Sequence, residues 1–340
     1  MFKFLKELPK VELHAHLNGS LNANSLRDLA EKVYGNTSEE FSQLCARFVN
    51  FEKDSNLDKC FEKFAFVHEL TSTAEGLQYA TELVIRDFAN DNIQYLELRT
   101  TPKANKNYLR RDYLRIVLDT IKKGREKYPN ILVKLLPSIN RSEPVAVAEE
   151  TVALAVEFAK TDPDLVVGID LSGNPTQGKF TDFSEALNLA RKEGLKLVIH
   201  CAEIDNTSEI KEMLAFGMSR CGHGTYLSSE DIAQMKAADI PIECCLTSNV
   251  KSGTVSSFEE HHLKQLMEAD APKVVCTDDS GVFDTTLTNE LLLVAETFNL
   301  TRDHCIDLTM EAVKHSFASD EERQQMALKV EHYVNSLKSE

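Results

Sequence analysis

The chain has 340 residues, of which 42% are apolar and 27% charged, and a net charge of -16 at neutral pH. That size suits an α/β barrel with a large core, while the acidic balance argues against a protein that wraps nucleic acid or lies on an anionic membrane. No uncharged apolar run approaches a membrane span, and the opening MFKFLKELPK mixes charge into its apolar residues, unlike a signal peptide.

The first apolar run, VELHAHL (11–17), is a strand candidate leading into an Asn-Gly turn. Strand alternation puts His14 and His16 on one face, where neighbouring imidazoles make poor core packing and good metal ligands. Helices are expected to fill residues 22 to 90. IQYLELRT (93–100) and ILVKLLPSI (131–139) follow, separated by the helical pattern RDYLRIVLDTIKKGREKY. Next come LVVGIDLS (165–172) and LKLVIHCA (195–202), joined through DFSEALNLARKEG with its C-capping glycine. The short, glycine-bearing SRCGHGTYL (219–227), IPIECCLT (240–247) and PKVVCTDD (272–279) complete the set. Most are continuous runs of Val, Ile and Leu, as parallel strands covered on both faces require.

No repeat, linker or low-complexity tract divides the chain. Eight strand–helix units in uninterrupted order predict a (β/α)8 TIM barrel occupying residues 1–340 as one domain. The tail from about 286 to 340, with TNELLLVAETFNL and RDHCIDLTMEAVKHSFA, reads as amphipathic helices packed on the barrel's outside. Eight cysteines without a CxxC spacing read as reduced core thiols, so the cytoplasm is the expected compartment.

A TIM barrel carries its chemistry at the C-terminal ends of its strands, and the unusual polar residues fall there. His14 and His16 end the first run; Asp170 and Gly173 close the fourth in DLSGNP; His200 and Glu203 close the fifth in VIHCAE. His223 stands between glycines in the sixth, CCLTSNVKS follows the seventh, and Asp278 and Asp279 end the eighth. Each alone has an ordinary reading, His200 as a hydrogen-bonded core residue and Asp278-Asp279 as a turn or helix cap. Together, three histidines and a carboxylate on one rim supply a ligand set for a divalent ion. Zinc comes first, because imidazoles dominate and thiolates are absent. An ion with room for water performs hydrolysis by acidifying that water. Glu203 is then placed to protonate the electrophile, and His223 to orient the water and take its proton. Asp278 can ligate, Asp279 can meet a substrate donor, and Gly173 lets a planar ring approach the backbone. His261, His262, His304, His315 and His332 read as structural or solvated.

HAHLNGS, HCAE, GHGTYL, LTSNV and CTDD, in that order and spanning nearly the whole chain, resemble the adenosine/AMP deaminase family. The resemblance implies a barrel of the metal-dependent hydrolase type, with one zinc ion per chain held by His14, His16, His200 and Asp278. It implies that Glu203 protonates purine N1, that attack at C6 is assisted by His223, and that Asp279 and Gly173 contact the ring. The His/Cys/Cys set and P-C-x-x-C segment of the cytidine-deaminase type are missing. HLNGS, LELRTTPK and DLSGNP further resemble the branch of the family that acts on N6-methyl-AMP, releasing methylamine and leaving IMP.

Asn18 stands where adenosine deaminases proper carry an acid in HVHLDG, and a neutral amide can donate to a 5′-phosphate that an Asp would repel. Thr100, Thr101, Pro102 and Lys103, together with His16, His68 and Asn140, are expected to bind the nucleotide. The chain departs from that branch at Lys103, where Arg would give bidentate geometry, and at Asn140, where the branch has Asp. The expected partner is therefore a small purine nucleotide, with neither nucleic acid nor membrane, and the expected state is a monomer. The nearest alternative is adenosine deamination to inosine. A barrel phosphoesterase, whose chains can also open with HxH, needs more metal and more ligands than this chain displays.

Overall fold

In the computed structural model, residues 1–39, 41–43 and 57–337 are described. All eight expected strands form: β1 (Lys10–His16), β2 (Ile93–Thr100), β3 (Leu132–Asn140), β4 (Gly168–Ser172), β5 (Lys196–Cys201), β6 (Arg220–His223), β7 (Ile242–Cys244) and β8 (Lys273–Val275). They make one parallel sheet in sequence order from β1 to β8. Its two edges meet where Ala15 bridges Asp278. There His16 N donates to Asp278 O at 3.2 Å and Asp278 N donates to His14 O at 2.8 Å, so the barrel closes at the rim.

The chain wraps this sheet in helices: α1 (Phe2–Glu7), α2 (Ala23–Tyr34), α3 (Leu57–Leu70), α4 (Ala74–Asn90), α5 (Arg110–Lys127), α6 (Val145–Thr161), α7 (Phe180–Lys192) and α8 (Thr207–Phe216). After them come α9 (Ser229–Ala237), α10 (Leu246–Lys251), α11 (Leu263–Glu268), α12 (Leu287–Thr297), α13 (Arg302–His315) and α14 (Asp320–Leu337). Helix α5 shows why they form. Leu114, Val117, Leu118 and Ile121 recur at helical spacing and are buried, each contributing about 1.5–3 kcal/mol by burial. Asp112 accepts from Leu109 N at 3.0 Å and closes the first turn. The seventh strand, expected over 240–247, ends at Cys244, and Leu246–Lys251 coil into α10 instead. Among the described residues no helix is long and apolar enough to cross a membrane.

The tail does more than pack on the outside. α13 lies against β8 and β1, and the chain then turns beneath the barrel. Phe317 N donates to Glu97 Oε1 at 2.6 Å, and the Arg220 guanidinium sits 3.7 Å from the Phe317 ring centre. Lys134 Nζ donates to Glu322 Oε1 at 2.6 Å. The barrel interior above this plug is ionic: Glu97, Arg99, Asp170, Arg220 and Glu243 are all fully buried. Arg220→Met keeps the volume but leaves Glu97 and Glu243 without a shared cation. We expect it to cost about 3–5 kcal/mol, read as a lowered midpoint in urea unfolding.

Candidate active site

β1 presents His14 and His16 from one face, with their Nε2 atoms 3.3 Å apart. His200 near the end of β5, His223 at the end of β6 and Asp278 in the closing bridge converge on the same point. One donor atom from each of His14, His200, His223 and Asp278 lies within 4.8 Å of the others, and all four residues are buried. His16 Nε2 stands 3.4 Å from Asp278 Oδ1. The rim backbone is strained to achieve this, since Ala202 (φ 57°), His223 (61°) and Asp278 (61°) all adopt the left-handed region. Gly222, in the GHG stretch, lets β6 close on β5, because a Cβ there would stand 3.1 Å from His200 Cα.

Groups behind the rim aim these donors. Glu243 Oε2 accepts from His14 Nδ1 at 2.8 Å, leaving His14 Nε2 toward the cluster. Asp170 Oδ1 lies 3.1 Å from His200 Nδ1, and Ser248 Oγ donates to Asp278 Oδ2 at 2.7 Å. Burial pulls the His14 imidazole down, but Glu243 and Asp278 outweigh it and hold it at about 9. Burial lowers His16 to about 3, so that ring is neutral. Burial drives the Asp278 carboxyl up, yet the hydrogen bond and charge of His14 keep it well below its usual range. Asp279 goes the other way: burial and the adjacent Asp278 charge hold it well above. Burial also raises Glu203. Buried imidazoles beside an ionised carboxylate fit a divalent ion, and the donors are already gathered and oriented for one.

The cluster opens into a cavity of about 290 Å³ at the C-terminal mouth of the barrel, at the small end for a ligand site. Of the residues singled out from sequence, His16, Asn18, His68, Thr100, Thr101, Lys103, Asn140, Gly173, His200, Glu203, His223, Asp278 and Asp279 line it. His14 lies beneath, fully buried. Pro102 is buried and does not line the cavity. The Thr100 hydroxyl is already engaged with Tyr113 OH at 2.6 Å. Lys103 Nζ reaches His68 Nε2 at 2.7 Å, and Asn18 Nδ2 lies 3.3 Å from His68 Nδ1, so the lysine is not a solvated loop residue. Burial lowers Lys103 to about 8 and, with the Lys103 charge, His68 to about 4. Asn140 Oδ1 accepts from Ser142 N at 2.9 Å. Gly173 has φ +102°, and a Cβ there would fall 2.3 Å from Asn140 Oδ1. Sequence reasoning missed Arg99, Phe64 and Ser172 on the cavity wall. Arg99 left a signal, a cation inside the apolar run IQYLELRT.

Residues 9–333 match the family described as adenosine deaminase. The chain is 88% identical over 340 residues to the adenosine deaminase-like protein of Drosophila pseudoobscura pseudoobscura, covering all of both chains. It is 40% identical over 339 residues to the N6-methyl-AMP deaminase of Homo sapiens, covering 97% of this chain and 94% of the human one. Its fold superposes with a TM-score of 0.86 on the crystal structure of Arabidopsis ADAL complexed with IMP, at 36% identity, covering 97% of this chain and 98% of that one.

The carboxylate behind His14 generates a test independent of turnover. Glu243→Gln keeps the shape but loses the charged partner of the imidazole, and is expected to weaken binding of a divalent metal, with zinc as the probe, roughly 10- to 100-fold. Competition with a chromophoric chelator measures it.

Proposed function

The chain belongs to the adenosine deaminase family, hydrolases of purine C–N bonds, and on that premise we propose that it hydrolyses N6-methyl-AMP at C6 to give IMP and methylamine. One observation carries the reading: the cavity that holds Glu203, His223, Asp278 and Asp279 also holds Lys103, His68 and Asn18. A base-modifying site and a cation with neutral donors for a phosphate thus share one small pocket. That the human relative is named for this nucleotide and the Arabidopsis one was crystallised with IMP supports the same reading.

His14, His16, His200 and Asp278 would hold one zinc ion, which supplies Lewis acidity and a more acidic water when bound. Glu203, whose carboxyl burial raises above its ordinary value, gives a proton to N1, making C6 electrophilic. His223, whose Nε2 is 3.8 Å from Glu203 Oε2, orients the attacking water. Asp279, with Oδ1 buried and unpartnered, meets one edge of the purine, and Gly173 meets the other. The balance closes: the water oxygen stays on C6, one of its hydrogens ends on N1 of IMP, and the other leaves with methylamine. Lys103 and the Asn18 amide, with Thr101, hold the 5′-phosphate, and Lys103 acts as a point charge where Arg would be bidentate.

Turnover of N6-methyl-AMP, AMP, N6-methyladenosine and adenosine by zinc-loaded protein, followed by ultraviolet absorbance, tests this directly. Fast loss of N6-methyl-AMP with little action on adenosine is expected; preference for adenosine overturns the nucleotide assignment. Glu203→Gln should lower kcat roughly 10²- to 10⁴-fold with zinc retained, and near-normal turnover removes Glu203 as proton donor. Asn18→Asp should raise KM for nucleotides roughly tenfold or more, the scale of one hydrogen bond to a charged group, and leave nucleosides less affected. Equal losses on both would remove Asn18 from phosphate recognition.

A further inference from the structure

Behind His223 runs a buried chain of hydrogen bonds that the proposed reaction does not yet use. Leu263 N, at the start of α11, donates to His261 Nδ1 at 3.1 Å. This is one of the backbone donors that a helix leaves unpaired at its N-terminus, and its polarity cannot reverse. His261 Nδ1 is therefore an acceptor, and the proton of the neutral ring sits on Nε2. Nε2 lies 3.0 Å from Asn249 Oδ1, which accepts. The amide nitrogen then points to His223 Nδ1 at 3.3 Å.

The other side of the same amide agrees. Thr254 Oγ1 donates to Asn249 O at 3.0 Å, so it accepts from Asn249 Nδ2 at 3.4 Å. A backbone N–H at one end and a backbone carbonyl at the other thus impose a single orientation on Asn249. His223 Nδ1 receives a hydrogen bond, and the proton of neutral His223 sits on Nε2, the nitrogen nearest Glu203. His262 Nε2 donates to His223 O at 2.8 Å and pins the strained backbone there. Burial holds His261 and His262 at about 2 and 4, so both are neutral at any working pH.

We propose that His261 and Asn249 are positioning residues that lock His223 as its Nε2–H tautomer, so that His223 donates a hydrogen bond to the oxygen arriving at C6 and does not take the water's proton. The catalytic consequence rests on the deamination reading. The proton given up by water then passes to a carboxylate, either Asp278 or Glu203 once it has given its own proton to N1, and His223 leaves the step as it entered. Asn249 and His261 do not line the cavity, so their loss acts on kcat and not on substrate affinity.

Long-range proton–nitrogen correlation of the zinc-loaded full chain, labelled with ¹⁵N-histidine, reads the tautomer, with His223 assigned by its loss in His223→Gln. A pyrrole-type Nε2 and a pyridine-type Nδ1 are expected. Asn249→Asp offers acceptor oxygens to both imidazoles and should invert His223 to Nδ1–H, with kcat down roughly 10- to 100-fold and KM little changed. His261→Gln can still donate to Asn249 Oδ1 and should keep the tautomer and most of kcat, while His261→Leu should keep neither.

A wild-type His223 bearing its proton on Nδ1, or ligating the ion through Nε2, overturns the proposal. So does equal damage by His261→Gln and His261→Leu, which marks a merely structural role, or undiminished kcat in Asn249→Asp. Should Asn249→Asp not fold, the wild-type spectrum and the His261 pair still decide. Absence of any purine turnover by the wild type overturns the deamination reading instead, and the spectrum alone then judges the tautomer.

Discussion

The Glu243 carboxylate lies at the centre of the barrel with no exposure to solvent, and the rim is built on it. It accepts from Arg99 Nη2 at 2.7 and 2.6 Å, from Arg220 Nε at 2.7 Å and from His14 Nδ1 at 2.8 Å. Removing such charges from water costs several kcal/mol per ion, and only a complete set of partners offsets it. Arg220 also pairs with Glu97, and Arg99 Nη1 reaches Asp170 Oδ1 at 3.2 Å. Asp170 in turn stands against His200. One buried network therefore ties β1, β2, β4, β5, β6 and β7 together. A one-residue slip of any of these strands would turn its charged member to the other face, so the network specifies register as well as aim.

Rigidity below permits strain above. Ala202, His223 and Asp278 hold left-handed backbone at the ends of β5, β6 and β8, a conformation that costs of order 1–3 kcal/mol per residue and persists only where surroundings over-determine it. The surroundings here are specific. His262 bonds the His223 carbonyl, and the Asp278 backbone bonds both His14 and His16. At the opposite end, the segment around Phe317 seals the base through Glu97 and Arg220. The base is thus sealed without help from the catalytic face, where Asp278 joins the sheet edges beside the cavity.

Much of this was legible in the chain because the signals were local. Period two in VELHAHL placed His14 and His16 on one face, and continuous apolar runs gave all eight strands in order. The polar residues at strand ends gave the rim before any likeness to a family was considered. What was not legible depends on pairings far apart in sequence. Glu243 and His14 are separated by 229 positions, and nothing near either names the other. Arg99, Arg220 and Glu243 sit inside apolar runs, and only the closed barrel brings them together. His261 and His262 read as structural or solvated, and they are buried and hydrogen-bonded; what they hold was not legible, since their partners, Asn249 and the His223 carbonyl, lie on other elements. Pro102 was carried along by its neighbours, but its burial keeps it out of the cavity.

The acidic net charge of the chain is a poor guide to the pocket, and the adjacent pair Asp278-Asp279 shows why. His14 holds the bridge residue Asp278 well below its ordinary value, while Asp279, packed against Gly19 so closely that a Cβ there would fall 1.6 Å from its Oδ1, is buried beside a negative charge and held well above it. Two neighbouring carboxyls are thus pushed apart in pKa. Burial raises Glu203 in the same direction. Lys103, lowered to about 8, is still largely charged near pH 7. The net charge of -16 is spread over the whole chain, whereas the cavity pairs two carboxyls that burial pushes up, Glu203 and Asp279, with a cation and buried imidazoles. The phosphate of the proposed nucleotide would meet a less negative field there than the composition implies, because in a desolvated site the nearest few groups outweigh a distant and screened surface.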